Sequence, residues 1–137
     1  MIEFTVEGKP VGKARPRVTK RGTYTPTKTK NYEQLVQWSY KNKYKDKPLE
    51  GPLRVDITFY MYIPKNTSEV RRKKKMAGEI LPTKKPDWDN MAKSITDALN
   101  GLAYKDDNQI VETHIYKYFS DKPRAEVRII GLNKEGV

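Results

Sequence analysis

The sequence predicts an α/β or α+β fold in which one mixed β-sheet packs against helices, within a single domain spanning residues 1–137. The chain has the length that forms one hydrophobic core. Apolar residues alternate in several segments, as in half-buried strands, and recur at helical spacing in others. No internal repeat or low-complexity linker divides the chain. The predicted order of strand, helix, strand, helix, helix, strand, strand therefore belongs to one folding unit.

The first strand and the segment after it differ in composition. Residues 2–7 alternate between apolar and polar side chains and end at Gly8, which predicts a half-buried strand. Residues 9–30 are rich in glycine, proline, threonine and cations and lack apolar periodicity. We therefore expect them to form a long basic loop.

A helix and a long strand are predicted next. The helix should run from about Thr29 to Tyr44, because apolar side chains fall on one of its faces. That face consists of Tyr32, Leu35, Val36 and Ser39. Residues 53–63 show the clearest alternation in the chain, which indicates a strand with one buried face.

The second half of the chain opens with a short cationic helix, predicted from the capping residue Ser68 to near Gly78. Two prolines favour an extended segment over residues 81–86. A longer helix follows, because apolar residues recur at about 100° per residue and an Asn-Gly pair at 100–101 supplies a stop. Its apolar stripe consists of Met91, Ile95, Ala98, Leu99 and Leu102.

Two more strands are predicted near the C-terminal end of the chain, at residues 109–119 and 125–130. They are joined across residues 120–123, so we expect the two strands to form a hairpin and to be neighbours in the sheet.

The charge of the chain indicates a polyanionic partner. Lysine and arginine number 28 against 17 aspartates and glutamates, for a formal net charge of +11. Nucleic acid is the commonest such partner, because neutralising its phosphates releases condensed counterions and gives affinity for any base sequence. A merely soluble basic protein is the alternative at this stage.

The rarest residue types exclude several classes of site. The chain has no cysteine, which excludes disulfides, thiol catalysis and cysteine-based zinc sites. Its single histidine, His114, excludes a histidine-rich metal site within one chain and is expected to pack or to lie on the surface. No apolar run approaches the ~20 residues that cross a bilayer, and residues 2–7 do not resemble a signal peptide. We therefore expect a cytoplasmic protein with no membrane partner.

Negative charge is concentrated in one segment. Residues 87–112 contain six acids and two cations, a local balance of −4, so the remainder of the chain carries +15. Such a cluster repels phosphate unless something neutralises it, and a divalent cation is the obvious agent. The acids are Asp87, Asp89, Asp97, Asp106, Asp107 and Glu112.

The spacing of these acids suits a hard metal ion. Asp87 and Asp89, at the start of the predicted helix, can both point to one side of that junction. Lys93 lies one helical turn after Asp89. Asp106 and Asp107 form a second pair, which meets the first if the following strand packs beside the helix start. Phosphodiester hydrolysis needs such a group: Mg²⁺ held by carboxylates, an activated water, and a cation that stabilises developing charge. Lys93 would be that cation or a group that positions the water.

Each of these residues also has a purely structural interpretation. Asp87 or Asp89 can cap the helix or stabilise its first turn, and Lys93 can form an exposed ion pair with Asp89. Asp106 and Asp107 are typical of a turn. Capping explains one carboxylate of each pair and leaves the second unexplained.

Four motifs lie in and around the acidic segment, and two more lie in the basic N-terminal segment. The first set is Lys84-Lys85-Pro86-Asp87-Trp88-Asp89-Asn90, Lys93, Asp97-Ala98-Leu99-Asn100-Gly101 and Lys105-Asp106-Asp107-Asn108-Gln109-Ile110. The second set is Gly12-Lys13-Ala14-Arg15-Pro16-Arg17 and Tyr24-Thr25-Pro26. Together they resemble the RusA-type Holliday junction resolvases, and the basic segment is similar to that of the family's phage and Gram-positive branch.

The resemblance implies a homodimer that cuts four-way DNA junctions by paired incisions, in DNA recombination and repair. It implies Mg²⁺ as the cofactor, for which we expect Mn²⁺ to substitute. Catalysis is assigned by the resemblance to Asp87, Asp89, Lys93 and Asp107, and metal binding to Asp87, Asp89, Asp106 and Asp107.

A rim of cations around the acidic cluster is predicted to bind the DNA. These residues are Lys13, Arg15, Arg17, Arg71, Arg72, Lys73, Lys84 and Lys85. The cations at positions 71–75 equally suit a solvated helix face. Four aromatic residues that we expect to be exposed are candidates for the dimer interface or for stacking on unpaired bases: Trp38, Tyr40, Trp88 and Tyr104.

Two other functions remain open from the sequence. One is a metal-dependent nuclease that uses the same aspartates on flaps or single strands. The other is a non-catalytic nucleic-acid-binding protein whose acids are caps and turns. Cleavage that depends on magnesium separates the nucleases from the pure binder, and a comparison of substrates separates the nucleases from each other.

Overall fold

The computed structural model describes residues 1–15, 17–24 and 26–137, without the side chains of residues 17 and 24. Pro16 and Thr25, from the predicted basic motifs, lie outside the described residues. Within the described ranges, no helix is long and apolar enough to cross a membrane. In chain order the elements are β1 (Ile2–Glu7), β2 (Arg17–Thr19), β3 (Gly22–Tyr24), α1 (Thr27–Lys41), β4 (Leu53–Met61), α2 (Glu69–Met76), α3 (Trp88–Leu99), a 3₁₀ turn (Asp107–Gln109), β5 (Ile110–Phe119) and β6 (Arg124–Gly131).

The main sheet has four strands in the order β1, β6, β4, β5. β6 is antiparallel to both β1 and β4, whereas β5 runs parallel to β4. At the centre of the sheet, Ile57 is paired with Val127 on one side and with Ile115 on the other. The predicted α+β fold, one mixed sheet packed with helices, is confirmed.

The predicted hairpin between the last two strands is wrong, because β4 lies between β5 and β6. In β6, Ala125, Val127 and Ile129 are all buried, which suits a strand with a neighbour on each side. β5 is more exposed along its length and occupies an edge. Residues 120–123 cross one strand, a distance of about 10 Å that four residues can span.

The N-terminal third differs from its prediction in two respects. The expected loop contains the small hairpin of β2 and β3, and α1 begins at Thr27, before the predicted start. The buried face of α1 consists of Thr29, Tyr32, Val36 and Tyr40, whereas Leu35 is exposed and Ser39 is only partly buried. Tyr40 is buried because its ring packs edge-on against Phe4 of β1.

The other two helices follow the sequence pattern closely. Ser68 caps α2 by accepting a hydrogen bond from the Arg71 amide (3.3 Å), and no residue of α2 is buried. In α3 the stripe residues Met91, Ile95, Ala98 and Leu99 are buried as predicted, whereas Leu102 lies beyond the end of the helix and is only partly buried. The chain leaves the helix through Gly101 at φ +77°. α1 and α3 pack against each other and against the sheet around one core.

The two faces of the sheet differ. We call the face covered by α1 and α3 the inner face; it carries the buried residues of the strands. The outer face carries side chains that are at least partly exposed, and many of its charges form ion pairs. These pairs are Arg54 with Asp56 (2.9 Å), Arg128 with Glu3 (2.8 Å) and Arg124 with Glu126 (3.8 Å). His114 was expected to pack or to lie on the surface; its ring is partly exposed on this face and contacts the Glu112 carboxylate (3.0 Å).

One edge of the sheet is covered by a side chain. The Tyr44 hydroxyl accepts a hydrogen bond from the Glu3 amide (3.0 Å) and donates one to the Glu3 carbonyl (3.2 Å). Both backbone polar groups of this residue in β1 are therefore satisfied by a tyrosine that follows α1.

Candidate active site

A cleft of about 400 Å³ lies between α3 and the inner face of β4 and β5. Asp89 and Lys93 reach it from α3, and Asp107 reaches it from the 3₁₀ turn that precedes β5. Its floor is apolar and includes Val55, Ile57, Ile110 and Ile115. Asp89 of the first acidic pair and Asp107 of the second therefore line the same cleft.

Asp87 occupies a different position. It borders a second cleft of about 740 Å³, together with Gly12, Arg15, Lys85 and Asn90. Within the described residues, no three aspartate, glutamate, histidine or cysteine side chains lie close enough to hold one metal ion. The convergence of Asp87, Asp89 and Asp107 on one ion is therefore not present in this structure and stays a prediction.

The acids differ in whether their side chains cap a helix or a turn. The backbone of Asp87 is at the N-cap of α3, but its side chain makes no capping hydrogen bond. Asp106 does cap, because its carboxylate accepts a hydrogen bond from the Asn108 amide (3.0 Å) and its own amide donates to the Gln109 side chain (2.9 Å). Capping thus accounts for Asp106 but not for the carboxylates of Asp87 and Asp107.

Three carboxylates of the two clefts form no ion pair among the described residues. Among the side chains that the structure describes, no cation lies within 4 Å of Asp87, Asp89 or Asp107, and Lys93 forms no ion pair with Asp89. The pKa of Asp107 is raised, first by its hydrogen bond with Asp106, then by partial burial and the negative charge of Asp106 and Asp97. Lys93 acts in the opposite direction on this pKa.

This donor set fits a hard divalent cation. Mg²⁺ keeps several waters and is commonly held by one or two carboxylates together with substrate phosphates. Asp89 and Asp107 line one cleft together with Lys93, and among the described residues no cation lies within 4 Å of either carboxylate. The donor set of the cleft is therefore of the kind that holds Mg²⁺ together with water and a substrate phosphate.

The predicted DNA-binding cations fall into three groups. Arg15 and Lys85 border the cleft of Asp87, and Lys84 is exposed in the same segment. Arg71, Arg72 and Lys73 lie on α2 and border neither cleft. The side chain of Arg17, in β2, lies outside the described residues.

Lys13 also borders the cleft of Asp87, but its ammonium group pairs with the carboxylates of Glu33 and Asp97. Burial alone would lower the pKa of Lys13; the hydrogen bonds and charges of these two acids outweigh that effect, and the pKa is raised. Lys13 is therefore committed to contacts within the protein.

Sequence reasoning missed Lys117. Its ammonium group donates hydrogen bonds to the carbonyl oxygens of Lys84 (3.1 Å) and Pro86 (2.9 Å), directly before Asp87. It is paired in register with the buried Phe59 and therefore points to the inner face. A lysine at an inward position of a strand was the signal that could have revealed it.

The four aromatic candidates divide evenly. Trp38 and Trp88 are exposed, at 62% and 55%, as expected. Tyr40 and Tyr104 are buried, so their predicted exposure is wrong. Tyr104 donates a hydrogen bond to the Thr96 carbonyl (2.5 Å) and braces the end of α3, which leaves the two tryptophans as candidates for stacking.

Comparison with known proteins gives two matches. A family model described as endodeoxyribonuclease RusA matches residues 7–130, a segment that contains both clefts and the four predicted catalytic residues. The uncharacterized protein YqaN of Bacillus subtilis (strain 168) is 40% identical over 134 residues, which cover 93% of this chain and 94% of that protein.

Proposed function

Because the chain belongs to the RusA family of endodeoxyribonucleases, we propose that it resolves four-way DNA junctions by Mg²⁺-dependent hydrolysis of phosphodiester bonds. The observation that carries this proposal is the cleft shared by Asp89, Lys93 and Asp107. Two carboxylates that form no ion pair repel DNA phosphates and weaken binding, unless they bind a cation that the reaction needs.

The chain's own residues have distinct tasks in this proposal. Asp89 and Asp107 hold Mg²⁺, or Mn²⁺ in its place, and Asp106 and Asp87 add negative charge nearby. When bound, the metal polarises a phosphate and lowers the pKa of an attacking water. Lys93 faces the same cleft and stabilises the charge that develops on the phosphate. Water replaces one ester oxygen at phosphorus, and the leaving oxygen takes up a proton.

The cations and the symmetry of the substrate complete the proposal. Arg15 and Lys85, beside the cleft of Asp87, bind backbone phosphates on the path to the reactive bond. A four-way junction has approximate two-fold symmetry, and its resolution needs two opposed cuts. A homodimer with two identical sites meets that need. As an enzyme of DNA recombination and repair, the protein would work in the cytoplasm.

The test compares four substrates that share sequence: a mobile four-way junction, a fixed junction, a flap and a linear duplex. We expect Mg²⁺ or Mn²⁺ to convert the mobile junction into nicked duplexes through paired incisions, and EDTA to abolish cutting. Preferential cutting of the flap would identify a different branched-DNA nuclease. Binding without metal-dependent cutting of any substrate would identify a pure nucleic-acid-binding protein.

A matched pair of variants removes the ambiguity of a contaminating nuclease. Asp89→Asn changes a carboxylate of the cleft, whereas Asp46→Asn changes an exposed aspartate in the segment between α1 and β4. Only the first should lose cutting. Equal activity of the two variants would show that the cleft is not the site of cleavage.

A further inference from the structure

Lys13 is the centre of a charge cluster that joins three parts of the chain. Its ammonium group hydrogen-bonds to the Glu33 carboxylate of α1 and lies 3.3 Å from the Asp97 carboxylate of α3. The three side chains are only 19%, 21% and 28% exposed. One cation thus pairs with two partly buried acids on neighbouring helices.

The backbone around Lys13 is held by the same two helices. The Lys13 amide donates to the Asn90 carbonyl in the first turn of α3 (2.9 Å), and the Ala14 amide donates to the Thr29 hydroxyl of α1 (3.1 Å). Gly12 packs so closely on Pro86 that a Cβ at position 12 would lie 3.1 Å from the Pro86 Cβ. Residues 12–14 are therefore fixed against the segment that carries Asp87 and Asp89.

We propose that Lys13 is a positioning residue of the nuclease site and not a DNA contact. This inference rests on the proposed function. Lys13 fixes α3, with Asp89 and Lys93, relative to α1, and it pairs with Asp97, one of the negative charges that act on Asp107. A phosphate would have to compete with two carboxylates for this ammonium group, and its departure would leave both acids unpaired.

Arg15 provides a matched comparison within the same segment. It lies two residues from Lys13, is exposed, and forms no ion pair among the described residues. If Arg15 binds a phosphate, its loss should reduce the slope of log affinity against log salt by about 0.9. The loss of Lys13 should leave this slope unchanged, because its charge is already neutralised within the protein.

The experiment measures junction binding without metal across a salt series, and single-turnover cleavage with Mg²⁺ at saturating protein. Lys13→Met should reduce the rate of cleavage by about tenfold or more, since small displacements of catalytic groups cost at least this much in rate. Its junction affinity and salt slope should match those of wild type. Arg15→Met should weaken binding and lower the slope. Lys47→Met, at an exposed loop lysine, should change neither quantity.

Thermal melts establish that each variant is folded at the assay temperature. If Lys13→Met does not fold, the triple variant Lys13→Met with Glu33→Gln and Asp97→Asn replaces it, because it leaves no unpaired carboxylate. That variant should fold, bind DNA with the wild-type salt slope and still cleave slowly, since the clamp between the helices is lost.

Two results would overturn the inference while the proposed function stands. One is a salt slope that falls for Lys13→Met as it does for Arg15→Met, and the other is wild-type cleavage by Lys13→Met at saturation. A wild-type protein that cuts no DNA with Mg²⁺ would instead remove the proposed function itself, and the positioning role with it.

Discussion

The acids on the outer face of the sheet and those in the inner cleft are the same residue types in opposite situations. On the outer face, Glu3, Asp56 and Glu126 each have an arginine partner within 4 Å, and Glu112 contacts the His114 ring. In the clefts, Asp87, Asp89 and Asp107 have no such partner among the described side chains. The chain has a net charge of +11. A shortage of lysine and arginine therefore does not explain why these carboxylates form no ion pair.

The difference follows from where each set of acids lies. On the outer face, strand geometry brings residues two apart, or opposite each other on paired strands, into contact, and opposite charges are placed there. In the inner cleft the acids come from a helix start and a 3₁₀ turn above an apolar floor. Unpaired carboxylates in such a place bind what the solvent or a substrate brings to them, which is the behaviour expected of a reactive site.

Asp107→Asn should have the largest effect on cleavage. The change keeps the shape of the side chain but removes a negative ligand, so cleavage should fall on the order of 10³-fold, as the loss of several kcal/mol of metal catalysis implies. Metal-free junction binding should survive, because a repulsive charge is removed. Single-turnover cleavage and gel shifts measure the two effects. A lower melting temperature with undiminished cutting by the folded fraction would mean that Asp107 is only structural.

Lys93→Ala should have the next largest effect. Removal of a single group that stabilises developing charge commonly costs about 10²–10³-fold in rate, and here metal affinity should be retained. Titration with Mn²⁺, followed by its paramagnetic effect on water relaxation, measures metal binding apart from cutting. If Lys93→Ala abolishes Mn²⁺ binding as well, Lys93 supports the metal site and not the transition state.

Arg71→Gln with Arg72→Gln tests whether cations that lie outside both clefts bind DNA. If α2 binds the DNA backbone, the log-log salt slope should fall by about 0.9 for each phosphate that the variant no longer neutralises, while the cleavage rate of bound junction changes little. Affinity measured at several salt concentrations gives the slope. An unchanged slope would assign these arginines to a solvated helix face.

Arg128→Gln should have the smallest effect. It breaks the outer-face pair with Glu3, in which both side chains are about half exposed. Exposed pairs contribute less than about 1 kcal/mol to the free energy of unfolding, so urea denaturation should detect little change and cleavage none. A large loss of cleavage would show that the outer face takes part in the reaction or in assembly.

Local patterns predicted what depends on local physics. The stripe from Met91 to Leu99 and the alternation of β4 identified their elements because one buried face imposes a period on the sequence. The position of Asp89 and Lys93 one turn apart followed from the same helix. Ser68 was identified as a cap because capping depends on adjacent residues alone.

What the sequence did not predict depends on contacts between distant residues. The place of β6 between β1 and β4 depends on its pairing with two strands that are both remote from it in the sequence. The burial of Tyr40 depends on Phe4, 36 residues away in the chain. The ion pairs of Lys13 were not predicted, because its partners, Glu33 and Asp97, are remote in sequence and adjacent only after folding.

The hydroxyl of Tyr44 has a consequence for how the protein behaves in concentrated solution. A sheet edge with free amides and carbonyls is a template on which strands from other molecules add, and such addition leads to fibres. At Glu3 both of those groups are already bound to Tyr44. An incoming strand would have to displace the phenol before it could pair with Glu3, so this side chain opposes the addition of a foreign strand at that point of the edge.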